Sequence, residues 1–433
     1  MKVLSVHFEA FKSLYDLSAV LEDLTIITGA NGSGKSNLVD GLTFLSNTYL
    51  HGLEFAVSHG GGYENIAHRR TRRARRPIKI AVELQLSGRE VSDFGSRYTT
   101  RDPKSNAGKR RPPTPALRIR HEFAFRAVSQ KLTADFEVTE EVLILTTTRG
   151  EEIARVARLG HVFTVDRFES SKSLSGVLDD LLYVYERNEF VDVVKIAPTE
   201  LFMARRYLVD IAWHVARHLS SISVFQLSPH TSRLPGVASP RAQLERHGEN
   251  LPGAADFLRR NHPNEWESVE SAMRSILPTL ESVSIAYTED RRLAVQFRET
   301  GVGRPWNASE VSDGTIQTFA LLVAIFDPRA SILVIEELEN ALHPWILRQL
   351  LSLCQESHRQ VLLTTHSPVL LNYVKPQSVQ LMWMAEGRSC IAPLADLDAD
   401  ISEQVRNGEL NIFDVYDSGL IANALPRGFG GGE

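Results

Sequence analysis

The feature that most constrains this chain is a glycine-rich segment near its start, Gly29-Ala30-Asn31-Gly32-Ser33-Gly34-Lys35-Ser36. It follows a short apolar run and precedes a stretch whose leucines recur at helical spacing. A strand, a tight glycine turn and a helix in that order create a nest of backbone N–H groups suited to phosphate. The pattern predicts a nucleotide-binding α/β domain, and the alternative is a glycine-rich turn that arose by chance.

Positions within this segment have distinct predicted tasks. The glycines let the backbone turn its N–H groups inward, and the following helix N-terminus adds a positive dipole end. Lys35 is expected to reach the β- and γ-phosphates, and the Ser36 hydroxyl to ligate Mg²⁺. The predicted nucleotide-binding residues are Asn31, Gly32, Ser33, Gly34, Lys35, Ser36 and Asn37.

A second candidate element is the run Ile332-Leu333-Val334-Ile335-Glu336-Glu337. Four consecutive apolar residues predict a strand that is buried on both faces of a parallel sheet. Acidic residues at the carboxyl end of such a strand lie where open α/β sheets bind ligands. We expect Glu336 to hold Mg²⁺, directly or through water, and Glu337 to polarise an attacking water. By itself the run also fits an ordinary strand end.

Two further segments belong to the candidate site. Ser312-Asp313-Gly314-Thr315 precedes an apolar helical stretch, so Ser312 or Asp313 is either an ordinary N-cap or part of an anion site at a helix start. The run from Val361 to Thr364 predicts a strand, and Thr365 and His366 follow at its end. A histidine at a strand end is usually structural. His366 would face a γ-phosphate if its strand were a neighbour of Ile332–Ile335.

Hydrophobic periodicity predicts the remaining organisation. Strict alternation over Ile78–Leu86 and again over Leu117–Phe125, with His121 at one apolar position, indicates antiparallel strands, and another strand is expected near Phe136 to Leu145. Helical spacing follows from Leu201 to Leu219 and from Trp266 to Ile276. Prolines in the middle region argue against a long coiled coil. Ser282 to Phe297 predicts a hairpin.

Composition excludes several classes of protein. The chain has 433 residues, 48 basic and 53 acidic side chains, a formal net charge of −5 and 43% hydrophobic residues, which is ordinary for a folded protein. Two cysteines in so long a chain do not form a disulfide framework. No apolar stretch reaches the roughly 20 residues of a membrane span, and the start lacks a signal-peptide core. We therefore expect a cytoplasmic protein without a membrane partner.

One cluster of positive charge stands out from this balanced composition. Clustered arginines release counterions from a polyanion, so they are a possible nucleic-acid contact, and a solvated loop is an equally good interpretation. The cluster consists of Arg69, Arg70, Arg72, Arg73, Arg75 and Arg76.

With these motifs in this order, the chain resembles the ABC-type ATPase heads of the RecF, SMC and Rad50 class. It is most similar to the AAA_21 group, which is related to the ATPase part of OLD nucleases and to ATPases of anti-phage defence. The resemblance rests on both ends of the chain, Met1 to about Leu45 and about Ala308 to Pro368, with looser matches at Phe225 to Pro235 and Gly248 to Leu251.

The resemblance implies a role for each motif. Gly29–Ser36 corresponds to Walker A, Ser312, Asp313 and Gly314 to the signature motif acting in trans, Glu336 and Glu337 to Walker B with its catalytic glutamate, Glu339–His343 to the D-loop, and His366 to the switch histidine. Two departures stand out. Glu336 replaces the usual aspartate, which leaves the magnesium geometry and the rate of hydrolysis open. No clear Q-loop is present, and Gln226 is a candidate for the metal-linked glutamine.

The expected fold class is therefore α/β, with an ABC-type P-loop head, an antiparallel lobe and a helical insertion. We expect an N-terminal ATPase lobe over residues 1–165, a mixed insertion for client or partner binding over 166–300, and a C-terminal lobe over 301–433. The resemblance implies ATP and Mg²⁺ as cofactors and a homodimer or higher homo-oligomer that encloses ATP.

Several functions are compatible with that chemistry. The first is a slow ATP-driven switch, most plausibly in anti-phage defence, that controls a separate nuclease or toxin subunit or acts on nucleic acid. The alternatives are a RecF-like repair ATPase and a nucleotide-dependent scaffold with little turnover. A transporter subunit is disfavoured, because Ser312 lies far from Lys35 and its motif is not of the LSGGQ type. Few residues follow His366 and no nuclease-type metal motif is visible, so we expect no intrinsic nuclease activity.

Overall fold

The structure is a computed structural model that describes residues 1–68, 76–95, 115–129, 135–160, 162–168, 181, 196–204 and 210–397. The chain divides into two compact units, each assembled from separate stretches of sequence. The first contains Met1–Leu21, Asp40–Ser221 and Met384–Ile391, and the second contains Glu22–Val39, Ile222–Trp383 and Ala392–Glu433. The proposed three-part division of the sequence at residues 165 and 300 stays a prediction.

The strands are β1 (Lys2–Phe11), β2 (Leu14–Val20), β3 (Leu24–Thr28), β4 (Ile78–Leu86), β5 (Leu117–Ala127), β6 (Phe136–Thr147), β7 (Glu152–Leu159), β8 (Val162–Arg167), β9 (Ile222–Phe225), β10 (Leu280–Tyr287), β11 (Leu293–Glu299), β12 (Trp306–Asn307), β13 (Ile332–Glu336), β14 (Gln360–Thr364), β15 (Val379–Ala385) and β16 (Arg388–Pro393).

The helices are α1 (Lys35–His51), α2 (Leu53–His59), α3 (Tyr63–Ile66), α4 (Gly88–Gly95), α5 (Asp210–Leu219), α6 (Pro229–Ser232), α7 (Leu251–Asn261), α8 (Pro263–Ile276), α9 (Asp313–Phe326), α10 (Pro344–Gln355), α11 (Pro368–Asn372) and α12 (Leu394–Leu397). Among the residues described, α1 is the longest helix at 17 residues, and none has both the length and the apolar character needed to span a membrane. The expectation of no long coiled coil holds for this part of the chain.

The first unit is built on an antiparallel sheet with strand order β2-β1-β4-β5-β6-β7-β8. The alternation predicted for β4 and β5 is present, since their apolar side chains are buried on one face. His121, which interrupts the apolar series of β5, is fully buried. Its ring lies 2.5 Å from the hydroxyl of Tyr49 and 3.2 Å from Glu141. Pairing with these two groups explains how a polar residue is tolerated at a core position.

Aromatic side chains join α1 to this sheet. Phe44 of α1 stacks on Phe125 of β5 at 6.0 Å between ring centroids and also contacts Phe11 at 5.4 Å. A Cβ added at Gly41 would lie 2.7 Å from the Phe8 ring, so the helix approaches the sheet as closely as it does only because this position lacks a side chain.

The second unit contains the parallel strands of the predicted nucleotide-binding core, in the order β15-β3-β14-β13-β9. All five residues of β3, of β13 and of β14 are buried, as their mostly apolar sequences predict. Helix α9 is buried along most of its length. Its Phe319 meets Trp266 of α8 and Phe297 of β11 edge-on, at 6.2 and 5.6 Å between centroids.

One helix prediction needs correction. The periodicity from Leu201 to Leu219 predicts a single apolar helical face, but Leu201 lies before a short 3₁₀ turn at Phe202–Ala204 and outside helix α5, which is described over Asp210–Leu219. The carboxylate of Glu141 accepts hydrogen bonds from the backbone N–H groups of Phe202 and Met203, at 2.6 and 3.1 Å. This tertiary contact holds the turn, and Leu208 lies outside the described residues.

Candidate functional site

The candidate site lies at the carboxyl edge of three adjacent parallel strands in the second unit. Thr364, the last residue of β14, pairs with Ile27 of β3 on one side and with Glu336 of β13 on the other. Parallel strands point the same way, so the segments that follow them emerge at one edge of the sheet. The Walker A turn, Thr365-His366 and Glu337 therefore meet there, with β14 between the other two strands.

The Walker A turn depends on glycine at specific positions. A Cβ at Gly29 would lie 2.1 Å from the carbonyl oxygen of Met382, which no larger residue tolerates. Gly32 and Gly34 have φ angles of 78° and 104°, a backbone region that favours glycine. The Ser33 N–H donates to the Ala30 carbonyl at 3.1 Å and closes the turn. This arrangement is the local fold that the sequence pattern predicts.

Lys35 is buried, with 8% of its surface exposed. Its ammonium group donates to the carbonyl oxygens of Gly29 and Ala30 at 2.7 and 3.1 Å and lies 3.5 Å from the Ser33 hydroxyl. Burial lowers the pKa of Lys35 to about 8, and the negative charges of Glu337 and Glu339 act in the opposite direction. A buried cation that donates its hydrogen bonds to neutral oxygens is suited to binding a polyanion.

The acid pair at the end of β13 has two different environments. Glu336 is buried at 4% exposure, and its carboxylate accepts a hydrogen bond of 2.7 Å from Arg246. Glu337 is partly exposed and has a φ of 50°, which is strained for a residue with a side chain. Its backbone N–H donates to the Thr364 carbonyl at 3.0 Å, and its carboxylate accepts from Asn340 at 2.9 Å.

His366 is held in place by an acid that sequence patterns did not identify as a ligand-binding residue. The backbone N–H of His366 and the hydroxyl of Thr365 donate to the carboxylate of Glu339, at 2.7 and 2.9 Å. Burial lowers the pKa of His366, and the Lys35 charge lowers it further, against the opposite effects of Glu339 and Glu337. The imidazole is consequently neutral at neutral pH. Glu337 and Glu339 thus act on both Lys35 and His366, which places these side chains in one electrostatic environment.

The signature segment starts helix α9 as an N-cap. The Ser312 hydroxyl accepts a hydrogen bond of 3.1 Å from the Thr315 N–H, and Ser312 itself is exposed. Arg233 supports the segment, since its guanidinium donates to the carbonyls of Ala308 and Val311 at 3.0 and 2.9 Å. It also forms an ion pair with Asp313 at 2.6 Å. The capping role of Ser312 is thus present, and its role in trans stays a prediction.

Gln226 follows β9, which is the other neighbour of β13, and Phe225 pairs with Ile335. Gln226 therefore follows β9 at the sheet edge where the acid pair follows Ile335. Its backbone N–H donates to the Arg246 carbonyl at 2.8 Å, and its own carbonyl contacts the His247 ring at 3.2 Å. The segment after β9 is thus joined to Arg246 and His247, and Arg246 is the functional candidate that sequence analysis missed. The flanking Gly248 was the available signal.

Most of the arginine cluster, from Arg69 to Arg75, lies outside the described residues. Arg76 is described and belongs to the first unit. Its guanidinium lies 3.3 Å from the Glu9 carboxylate and 5.2 Å from the centre of the Tyr15 ring. A contact of this cluster with nucleic acid stays a prediction.

The side chains at the edge fit a magnesium–nucleotide complex in chemical type. Mg²⁺ prefers oxygen ligands and is usually bound by one or two carboxylates together with substrate phosphates. Ser36 is exposed at the start of α1, and Glu336 supplies a buried carboxylate. Within the described part of the chain no cluster of three or more His, Cys, Asp or Glu side chains forms a self-sufficient metal site. Phosphate oxygens of a bound nucleotide would therefore have to complete the set of ligands around Mg²⁺.

Solved structures similar to this chain include Smc head domains. An Smc head bound to the C-winged helix domain of ScpA is 14% identical, with a TM-score of 0.49 and coverage of 90% of this chain and 97% of that one. The SMC head domain from Thermotoga maritima is 15% identical, with a TM-score of 0.38 and coverage of 91% and 99%. An Smc head from Pyrococcus furiosus bound to the C-terminal domain of ScpA is 13% identical, with a TM-score of 0.43 and coverage of 94% of this chain and 99% of that one.

The comparison with curated proteins gives no match. A family model does match, and its description reads AAA_21, AAA domain, putative AbiEii toxin, Type IV TA system. It covers residues 24–185 and 213–372, which is most of the chain and includes the Walker A turn, Glu336, Glu337 and His366. The chain therefore belongs to the AAA_21 family.

Proposed function

We propose that this ATPase is a slow nucleotide-driven switch that binds Mg²⁺ and ATP at the edge of β3, β14 and β13 and dimerises around them. The observation that carries the proposal is that Lys35, Glu337 and His366 lie in the segments that follow three adjacent parallel strands, β3, β13 and β14, at one edge of the sheet. Phosphoryl transfer depends mainly on positioning and on neutralising charge, and these residues provide a cation, a carboxylate and a neutral imidazole at one place.

The residues of this chain divide the work in the proposed mechanism. Lys35 exchanges the neutral carbonyls of the turn for charged phosphate oxygens, which form stronger hydrogen bonds. Mg²⁺, when bound, neutralises phosphate charge. Glu337, held by Asn340, orients a water molecule and accepts its proton. The neutral His366 ring, whose backbone is fixed by Glu339, is available to hydrogen-bond the terminal phosphate.

The state of Lys35 predicts a pH dependence of ATP affinity. The pKa of about 8 leaves Lys35 increasingly neutral above pH 8, and a bound polyanion favours the charged form. Binding must then take up a proton, so affinity should be constant below pH 8 and fall by up to about tenfold per pH unit above it. Calorimetry between pH 7 and 9.5, in buffers with different ionisation heats, measures both effects. Lys35→Arg should remove the dependence, and a flat wild-type profile would contradict it.

The dimer proposal rests on the exposed start of helix α9. Ser312 caps this helix, and the helix's first N–H groups and positive dipole end form a surface that suits phosphate. In a symmetric dimer, each such surface would complete the nucleotide site of the other subunit. Arg233 fixes the segment from within its own subunit, so it acts as a positioning residue for this contact.

Ser312→Asp tests the dimer without removing the helix cap, because aspartate is as good an N-cap as serine. The new carboxylate should repel a triphosphate held by the partner subunit. We expect unchanged ATP binding by the monomer but no ATP-dependent dimer in light scattering. The control is Ser309→Asp, an exposed position just before the signature segment. Loss of monomer binding in Ser312→Asp would instead place this residue at its own subunit's nucleotide.

Mixing variants gives the complementary measurement. Lys35→Ala has a defective Walker A turn and an intact signature, and Ser312→Asp has the reverse. A mixed dimer would contain one intact composite site, so a 1:1 mixture of two inactive proteins should recover about a quarter of the wild-type ATPase rate. If each signature served its own subunit, the mixture would stay inactive.

We further propose that the switch controls a separate effector, a nuclease or toxin subunit, or acts on nucleic acid, in anti-phage defence. The family description, which names a putative toxin of a toxin–antitoxin system, supports a defence-related role. Clustered arginines at Arg69–Arg76 support a nucleic-acid contact. A slow basal rate is supported by the pairing of Glu336 with Arg246.

A further inference from the structure

The carboxylate predicted to hold Mg²⁺ is already neutralised by a side chain of the same unit. Arg246 Nη2 lies 2.7 Å from Glu336 Oε1. The Glu336 side chain is 3% exposed and that of Arg246 is 33% exposed, so the pair joins a buried acid to a cation that reaches solvent. Neither residue was expected to contact the other from the sequence, where they are 90 positions apart.

A buried carboxylate without a counter-charge is unfavourable, because it has lost its hydration and gained no partner. Arg246 therefore stabilises Glu336 when no metal is bound. A divalent cation that ligates the same carboxylate would be repelled by the guanidinium at hydrogen-bond distance. The two cations consequently exclude each other, and one must leave Glu336 before the other is bound at full strength.

The backbone that carries Arg246 is fixed, which leaves its side chain as the part that can move. The Arg246 carbonyl accepts from the Gln226 N–H at 2.8 Å, and the His247 carbonyl accepts from the Ser228 N–H at 3.1 Å. Gly248 has a φ of 96°, and a Cβ there would lie 2.1 Å from the Ser232 hydroxyl. The segment is thus attached to the residues after β9, beside the acid pair.

We propose that Arg246 competes with Mg²⁺ for Glu336 and thereby weakens metal binding until nucleotide phosphates add their own ligands. This inference rests on the proposed magnesium–ATP site and concerns its regulation. The site would discriminate against Mg²⁺ alone and accept it together with a triphosphate. Entry of the metal would release the Arg246 guanidinium from Glu336 towards solvent and the bound phosphates.

The test measures the dissociation constant of a fluorescent ATP analogue in EDTA and in Mg²⁺. The value in EDTA divided by the value in Mg²⁺ is the measure of metal coupling. Arg246→Gln removes the charge but keeps an amide donor for Glu336, so the acid retains a partner. We expect the ratio to rise by about tenfold, because the competing cation is gone. Arg246→Lys, a more strongly hydrated and less well-shaped partner for a carboxylate, should raise it by about threefold.

Controls separate this inference from the proposed function. Arg241→Gln changes an exposed arginine nearby and should leave the ratio unchanged. Glu336→Gln should bring the ratio close to one. An unchanged ratio in Arg246→Gln would overturn the competition, and if that variant fails to fold, an unchanged ratio in Arg246→Lys would do so. Failure of the proposed function looks different, since the wild type would then not bind the analogue in either condition.

Discussion

Lys35→Ala should lower the affinity for ATP by about 100-fold, because a buried cation that hydrogen-bonds the ligand contributes several kcal/mol when its partner is charged. The ammonium group donates to Gly29 and Ala30 from inside the turn. Its loss removes the only side-chain charge in the predicted Walker A segment. Isothermal titration calorimetry at pH 7 with Mg²⁺ measures the change, and circular dichroism establishes that the variant is folded.

The matched control for this prediction is Lys375→Ala, which removes an exposed lysine from the same unit. It should bind ATP as the wild type does, since a solvated charge that does not face the nucleotide contributes little. Wild-type affinity in Lys35→Ala itself would mean that the nucleotide is not bound at this turn. The assignment of the sheet edge as the active site would then be wrong.

Glu337→Gln should leave ATP binding intact and lower the hydrolysis rate by a factor of about 10²–10⁴, the usual contribution of a positioned acid or base. Glutamine has the same shape and keeps an oxygen for the hydrogen bond from Asn340, but it cannot accept a proton from water. The ATP-bound state should therefore persist and accumulate as dimers. Phosphate release measures the rate, and light scattering in ATP measures the dimer.

Two comparisons make the Glu337 result specific. Glu356→Gln alters an exposed acid just after helix α10 and should change neither the rate nor the oligomeric state. An equal oligomeric state for the wild type and Glu337→Gln in ATP would contradict a dimer that encloses nucleotide. Unchanged hydrolysis would mean that another residue activates the water, and Glu339 would be the next carboxylate to test.

The local parts of the site were predictable from the sequence, because their geometry depends on neighbouring residues. The glycines of Gly29–Ser36 require positive φ angles or close approach, and glycine supplies both. The apolar run before Glu336 fits a strand that is buried on both faces. Alternation over Ile78–Leu86 fits a strand with one buried face. In each case the residues that form the pattern also cause the local structure.

The helical spacing that begins at Leu201 shows where such patterns fail. The Glu141 carboxylate, which is distant in sequence, binds the backbone N–H groups of Phe202 and Met203. Hydrogen bonds to a charged acceptor inside the core outweigh a weak helical preference. No local pattern contains that partner.

The amino-acid sequence by itself therefore determined the glycine turn before α1, the buried strands and the family to which the chain belongs. Only the tertiary structure decided that β14 lies between β3 and β13, that Glu339 holds His366, and that Arg246 neutralises Glu336. The physical reason is the range of the forces involved. Turn and strand preferences act over a few residues, whereas parallel pairing and buried charge join segments that meet only after the sheet is assembled.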